Sequence, residues 1–259
     1  MSSQVADAHC SSPGKWLGVK SPDSRVVAES LESYAEDRLA ESAFFTDLSA
    51  GRMHAEDVRD VFGQYYLWRN RLHRWFGVCV ARTAPLGDAP NVSRILGEII
   101  GCLAQEIADD HHGLALSFLS ALGIDDPGGI TVLPVTDAYA RSFLHCYSSA
   151  DRSGDEAVAA LAGRELAVPS RNEIIIRALA DRYGVTSGLD LFSPHASLEA
   201  ERFRALWEAL ADEARADARL LADAARLEIW EHITFWDDVY SAIRGARAVP
   251  AAGPMGAGR

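Results

Sequence analysis

Carboxylate and imidazole side chains recur on the apolar faces of several predicted helices. They are Glu106 and His111, then Glu165, and finally His195 and Glu199. Charged side chains rarely face a protein core unless a partner neutralises them. Carboxylates combined with histidines inside a helical bundle are a typical way of holding iron or manganese. The pattern therefore predicts a buried metal site with these five residues as candidate ligands.

His195 and Glu199 are a candidate ligand pair from a single helix. Residues four apart differ by roughly 40° around a helix axis and lie one turn apart, so both side chains can reach one ion. A histidine at a helix start beside an unrelated glutamate would produce the same spacing. The pair alone does not separate these two interpretations.

Glu165 interrupts the apolar stripe that runs from Val158 to Val168. A carboxylate in such a stripe needs a cation, a hydrogen-bond donor or a proton. A metal ion would supply the cation, and a salt bridge to Arg164 or Arg171 is the alternative. The pattern is equally consistent with a metal ion and with a salt bridge as the partner of Glu165.

Glu106 and His111 lie in one predicted helix, where His111 belongs to the inner stripe together with Ile107. Five positions place two side chains about 140° apart on a regular helix, so joint ligation requires a π-bulge or local unwinding. A satisfied core histidine is the alternative for His111. The neighbours that compete for these roles, or form a solvated acidic face, are Asp109, Asp110 and His112.

Tyr66, Arg69 and His73 point inward on another predicted helix. A buried arginine can bind a substrate carboxylate through two parallel hydrogen bonds, and these three residues are predicted to bind substrate. Arg69 as a counter-ion for one of the carboxylates is the alternative. His232 and Glu228, also four apart, are reserve candidates, because the aromatic residues around them are typical of a core.

Helical periodicity extends over most of the chain and predicts one all-α domain of about seven helices at residues 25–244. A loose arm is expected at residues 1–24 and a low-complexity tail at 245–259. The predicted helices are Val26–Leu48, Asp57–Arg82, Val92–Leu122, one that begins after Pro134 with Thr136 as its cap and ends near Tyr147, Asp155–Tyr183, one that begins at His195, and Asp212–Ile243.

Composition excludes several classes of function. The 259 residues carry a formal net charge of −12, which disfavours binding to nucleic acid or to an anionic membrane. The chain contains no apolar run long enough to span a bilayer. The four cysteines lack metal-type or disulfide-type spacing, and the N-terminus lacks a signal-peptide layout. A cytoplasmic protein with reduced thiols is expected.

The segment FFTDLSAGRMHAEDVRDVFGQYYLWRNRL resembles the opening of the heme-oxygenase-like superfamily, which includes thiaminase-II and pyrroloquinoline-quinone-synthase proteins. The resemblance extends over most of residues 30–242. Within the superfamily, the chain is most similar to the heme-oxygenase-like diiron oxidases, also called iron-containing redox enzymes. In that group a Glu precedes a His and an apolar helix that ends in Ala-Leu-Gly, matched by Glu106, His111 and the segment at 121–123.

Two further motifs of the group have counterparts. Glu165 and Pro169 match a Glu followed by Pro. His195 and Glu199 match the first two positions of a His-x-x-x-Asp-x-x-His helix, and Arg202 stands where the last His is expected. A guanidinium does not ligate a metal. The resemblance thus implies a site for two Fe(II) ions whose second position is uncertain, with Arg202 among the substrate-binding candidates.

The resemblance implies an enzyme that uses dioxygen as co-substrate to oxidise a small amino-acid-like or carboxylate-bearing metabolite, in a biosynthetic pathway. No catalytic residue beyond the metal ligands is predicted. A homodimer and an external electron donor are further expectations. The alternatives are a metal-free enzyme of the same fold, either a cofactorless oxidase or a thiaminase-II-like hydrolase, and a non-enzymatic binder of small molecules.

Overall fold

All regular secondary structure is helical in the described part of this computed structural model, which comprises residues 24–83, 90–108, 110–193, 201, 204–210 and 217–248. This confirms the predicted all-α class. The predicted sites His195, Glu199 and Arg202, most of the predicted arm and the end of the tail lie outside these residues. The helices are α1 (Ser24–Glu41), α2 (Ala43–Ser49), α3 (Ala55–Arg69), α4 (His73–Arg82), α5 (Pro90–Ala108), α6 (His111–Ala121), α7 (Pro134–Tyr147), α8 (Gly154–Tyr183), α9 (204–210) and α10 (Ala218–Ala248).

Helix α8 forms the centre of the bundle and contacts α1, α2, α4, α7 and α10. Every residue from Glu156 to Val168 is buried, as expected for a helix surrounded by others. A capping box starts the helix, because the Ser153 hydroxyl accepts from the Glu156 N–H and the Glu156 carboxylate accepts from the Ser153 N–H. Gly184, with φ at 68°, ends it. The predicted helix Asp155–Tyr183 is thus confirmed.

Helices α8 and α10 approach each other closely at Gly163 and Ala225. A Cβ atom added to Gly163 would lie 2.6 Å from the carbonyl oxygen of Ala225 and 2.8 Å from its Cα. These distances are shorter than van der Waals contact, so only glycine allows this approach. The polar residues near this crossing on both helices are therefore held in the interior.

Three of the predicted helices are each divided in two. Ser42 separates α1 from α2, residues 70–72 separate α3 from α4, and Asp110 separates α5 from α6. The Ser42 hydroxyl accepts from the Phe45 N–H at 3.3 Å, and the Asp110 carboxylate accepts from the Gly113 N–H at 3.1 Å. Such side chains begin a new helix, while the apolar periodicity continues across the break. The prediction of about seven helices therefore roughly matches the observed helices, three of the predicted ones being divided.

Two side chains that were predicted to point inward are exposed. His73 is exposed at the start of α4, and Ile107 is 74% exposed near the end of α5. The turn at residues 70–72 shifts the angular position of α4, so that Trp75 and Phe76 are buried instead of His73. The prediction that His73 points inward was therefore wrong, and its role in substrate binding stays a prediction.

Helix α10 organises the start of α2 through one aromatic and one acidic residue. The ring of Trp236 stacks on Phe44 at 5.1 Å and on Tyr65 at 4.9 Å between centroids. The Asp237 carboxylate accepts from the Ser42 hydroxyl at 2.7 Å and from the Phe44 N–H at 2.8 Å. Residues far apart in sequence thus fix the kink between α1 and α2.

The end of α10 extends past its predicted end at Ile243, to Ala248. Arg247 lies 2.9 Å from Asp57 and 2.7 Å from Asp60 on α3. These ion pairs attach a segment that was predicted to belong to the tail. The composition of this segment alone did not predict that Arg247 pairs with acidic residues of α3.

The substitution Gly163→Ala should lower the free energy of unfolding by about 1–3 kcal/mol. Alanine favours a helix over glycine by about 1 kcal/mol, but its methyl group would overlap the Ala225 backbone. Urea denaturation measures the difference.

Gly245→Ala on α10 is the matched control, because a Cβ there meets no atom within 4 Å. This control should gain up to about 1 kcal/mol from helix propensity. A Gly163→Ala protein as stable as the wild type would contradict the close approach.

Candidate functional site

The junction of α5 and α6 brings Glu106 and His111 together. Asp110, with φ at 47°, is in the left-handed conformation and stands between the two helices. As a result, His111 Nδ1 lies 3.0 Å from Glu106 Oε2. The local unwinding that joint ligation requires is therefore present at this position.

Arg69, the last residue of α3, contacts the same carboxylate. Its Nη2 atom lies 3.0 Å from Glu106 Oε2, and its side chain is 11% exposed. Arg69 points inward as predicted. Its contact with Glu106 agrees with the alternative interpretation, in which Arg69 is a counter-ion for a carboxylate. Its role in substrate binding stays a prediction.

Glu106 is ionised in this environment. Burial opposes its ionisation, but the contact with His111 and the charges of Arg69 and Arg164 outweigh that cost and lower its pKa to about 2. A carboxylate must be deprotonated to bind a metal ion. The electrostatics therefore keep Glu106 in the form that can bind one.

Glu165 lies in the buried stripe of α8 and is 4% exposed. Of the two arginines proposed as its partner, Arg164 donates to its carboxylate. The Arg164 guanidinium also lies 5.5 Å from the centre of the Trp68 ring. Pro169 has no N–H, so the usual helical hydrogen bond to the Glu165 carbonyl cannot form.

Tyr66 lies beside the start of α6. It is buried, and its ring centroid is 6.4 Å from that of His112. His111 is buried and His112 is exposed, as the apolar stripe predicted. Tyr66 and Arg69 therefore both lie beside the α5–α6 junction.

The donor atoms of Glu106 and His111 fit a shared metal ion. Two atoms bound about 2.1 Å from one ion at a right angle lie about 3.0 Å apart, which is the separation observed here. Among the residues that the structure describes, no group of three or more His, Cys, Asp or Glu is arranged as a ligand set. A complete site therefore requires ligands beyond this pair.

A second polar cluster connects α7, α8 and α10. The Tyr139 hydroxyl lies 3.0 Å from His232 Nδ1 and 3.3 Å from Glu228 Oε1, and Arg171 Nη1 lies 2.8 Å from His232 Nε2. All four residues are buried. From the sequence, Glu228 and His232 were only reserve candidates for a functional site, and Tyr139 was not predicted. The spacing of Glu228 and His232 on an apolar helix was the available signal.

The donors and acceptors in this cluster fix the direction of its hydrogen bonds. An arginine only donates, so His232 Nε2 accepts, and the imidazole proton lies on Nδ1. Nδ1–H then donates to the Tyr139 oxygen. The Tyr139 O–H in turn donates to the Glu228 carboxyl group.

Burial is the largest cause of the pKa shifts of His232 and Glu228 in this cluster. It lowers the pKa of His232 well below its usual range, assisted by the charges of Arg171 and Arg164. It raises the pKa of Glu228 well above its usual range, assisted by Glu231 and opposed by Arg164. The imidazole is therefore neutral in the folded protein.

The folded protein should lose stability on acidification because His232 stays neutral. An unfolded histidine titrates near pH 6.5. Below about pH 6.5 the unfolded chain binds one more proton at this site, so the free energy of unfolding falls by up to about 1.4 kcal/mol per pH unit. The substitution His232→Gln should remove this contribution.

Urea denaturation between about pH 5 and 7 measures the slope of the free energy of unfolding against pH for the wild type and for His232→Gln. His145→Gln, at an exposed position of α7, is the control and should keep the wild-type slope. Equal slopes in the wild type and His232→Gln would show that the imidazole is not held neutral.

A cavity of about 590 Å³ lies elsewhere, between α3, the loop before α7 and the end of α10. Its lining includes Arg59, Gln64, Ile130 and Arg247. Its lining contains none of the predicted metal-binding or substrate-binding residues that the structure describes. This cavity is therefore separate from the site around Glu106.

The sequence model of one protein family, described as iron-containing redox enzymes, matches residues 59–237. The chain belongs to this family. The predicted resemblance is thereby confirmed, and the matched region includes Glu106, His111 and Glu165. No curated protein matches this chain in sequence.

Solved structures share the fold of this family member. A domain of unknown function from Shewanella denitrificans, with a heme oxygenase-like fold, has a TM-score of 0.70 at 13% identity and covers 87% of this chain and 95% of its own. A putative TenA-like thiaminase from Sulfolobus solfataricus has a TM-score of 0.56 at 15% identity, with 84% and 95% covered. Heme oxygenase-1 from Synechocystis, in complex with heme, has a TM-score of 0.55 at 15% identity, with 85% and 95% covered.

These likenesses show that the fold is heme oxygenase-like, as predicted. Within the described ranges, no helix of this family member is both long and apolar enough to cross a membrane.

Proposed function

We propose that the chain is a non-heme iron, dioxygen-dependent oxidoreductase. The observation that carries the proposal is the approach of Glu106 and His111 at the α5–α6 break, in a chain of the iron-containing redox enzyme family. In this proposal Glu106, His111 and Glu165 are iron ligands, and His195 and Glu199 complete the set.

The proposal includes a second Fe(II) ion, as the sequence led us to expect. Arg202 stands where the last histidine of the family motif is expected, and a guanidinium cannot ligate. The second ion would therefore be ligated by residues other than Arg202 or held more weakly than the first. The same proposal includes a homodimer, a cytoplasmic location and an external electron donor.

Bound iron would supply the binding and activation of dioxygen for the oxidation of an organic substrate. The residues of the chain perform the other tasks. Burial of Glu165 and His111 keeps water from the reacting centre. Arg69 and Arg164 neutralise the carboxylates when no metal ion is bound. Arg69 and Tyr66 lie where a small carboxylate-bearing metabolite would meet the ligands, and we propose this class of substrate.

The apoprotein, loaded anaerobically with Fe(II), should bind iron, and oxygen exposure should then produce a transient visible absorption. The substitution Glu165→Gln should weaken Fe(II) binding by at least about tenfold, because it removes a negatively charged ligand. Equilibrium titration measures the affinity.

Glu173→Gln is the matched control, since Glu173 is an exposed glutamate on the same helix. It should bind Fe(II) as the wild type does. Failure of the wild type to take up iron, or equal affinities for the two variants, would overturn the proposal.

The substitution Arg69→Ala should raise the affinity for Fe(II) by about tenfold if Arg69 acts as a counter-ion. Removal of its guanidinium leaves the Glu106 carboxylate without the positive charge that competes with the metal ion. Arg71→Ala is the control, because Arg71 pairs with Asp137 at 3.0 Å instead. Unchanged or weaker binding in Arg69→Ala would contradict the counter-ion role.

The thiaminase-like alternative requires a reactive thiol. Burial raises the pKa of both Cys79 and Cys146, and in Cys146 the charge of Glu231 adds to the effect. A raised pKa keeps a thiol protonated and unreactive. These two cysteines therefore do not favour the alternative.

A further inference from the structure

Tyr139 is a buried phenol with a hydrogen-bond partner on each side of its hydroxyl group. We propose that Tyr139 is a redox-active residue that gives up one electron while its phenolic proton passes to Glu228. Its natural oxidant would be a one-electron oxidant generated from dioxygen, and in this respect the inference rests on the proposed function.

The direction of the hydrogen bonds prepares Tyr139 for this step. Arg171 occupies His232 Nε2, so the imidazole cannot take the phenolic proton. The Tyr139 O–H therefore donates to the Glu228 carboxylate at 3.3 Å. His232 Nδ1–H donates to the Tyr139 oxygen at 3.0 Å and would continue to stabilise that oxygen in the oxidised state.

The step balances in atoms and charge. The neutral phenol of Tyr139 loses one electron to the oxidant and one proton to the Glu228 carboxylate. The products are a neutral tyrosyl radical, a neutral carboxylic acid and the oxidant reduced by one electron. Burial makes the ionised carboxylate of Glu228 a stronger base than an exposed carboxylate, which favours the transfer.

Aromatic contacts connect Tyr139 with the proposed iron ligands. The Trp68 ring meets the Tyr139 ring edge-on at 5.1 Å, and the Arg164 guanidinium lies 5.5 Å from the centre of the Trp68 ring. Arg164 in turn contacts Glu165. A continuous path of packed groups therefore extends from the proposed metal ligand to the phenol.

Tyr147 provides the matched comparison within the same helix. It is 2% exposed, as deeply enclosed as Tyr139. However, its hydroxyl has no hydrogen-bond partner among the described residues. Tyr147 therefore lacks the proton acceptor that the proposal requires.

Flash photolysis with a ruthenium trisbipyridine oxidant and a sacrificial electron acceptor tests the proposal without iron. Because the Glu228 carboxyl group must be ionised to take up the proton and burial raises its pKa, the wild type is measured at increasing pH. The absorption band and EPR signal of a long-lived neutral tyrosyl radical should appear as this carboxyl group loses its proton. The signal should fall by at least about tenfold in Tyr139→Phe and persist in Tyr147→Phe.

Glu228→Gln tests the proton transfer, because glutamine can accept the hydrogen bond but cannot take up the proton. Its radical yield should also fall by at least about tenfold, with circular dichroism confirming a folded protein. A full signal in Tyr139→Phe, or an unchanged yield in folded Glu228→Gln, would overturn the inference.

A second experiment distinguishes a failure of this inference from a failure of the proposed function. Iron-loaded wild type is exposed to oxygen and frozen for EPR. Iron uptake and oxygen consumption without a radical that depends on Tyr139 would overturn the natural role of Tyr139 and leave the proposed function intact. Failure to bind iron would overturn the proposed function, whereas the photochemical arm would still decide whether Tyr139 is redox-active.

Discussion

The guanidinium groups of Arg164 and Arg171 are buried in the middle of α8 and depend on polar and aromatic partners in the surrounding interior. An unpaired charge in a protein core costs several kcal/mol. Arg164 contacts Glu165, while Arg171 donates to Asn172 and to His232. Several polar residues of the interior can therefore be understood as partners of these two cations.

The same two charges couple the proposed iron site to the cluster around Tyr139. Arg164 lowers the pKa of Glu106 on one side and opposes the rise in the pKa of Glu228 on the other. The close approach of α8 and α10 at Gly163 keeps these groups in one low-dielectric region. A change of charge at the metal ligands would therefore be felt at the Tyr139 cluster.

The sequence predicted most of the features that depend on a single helix. The burial of Glu165 follows from its apolar stripe, and α8 was recognised with nearly its full length. Periodicity could not reveal the break at Asp110, because the breaking interaction is a local side-chain hydrogen bond. It therefore did not show that Ile107, near this break, is exposed, and the separate turn at residues 70–72 accounts for its failure at His73.

The Tyr139 cluster could not be predicted because its members come from different helices. Tyr139 and His232 are separated by 93 positions. Only their packing shows that the imidazole accepts from Arg171 and donates to the phenol. The motifs that carry the family resemblance include the expected metal ligands but none of these residues.

Anomalous diffraction at the iron edge, from crystals soaked anaerobically with Fe(II), would test the central claim most directly. The account predicts an iron peak within bonding distance of Glu106, His111 and Glu165, with Arg69 and Arg164 displaced from the carboxylates. A fully soaked crystal without such a peak, in which both arginines keep their carboxylate partners, would contradict it.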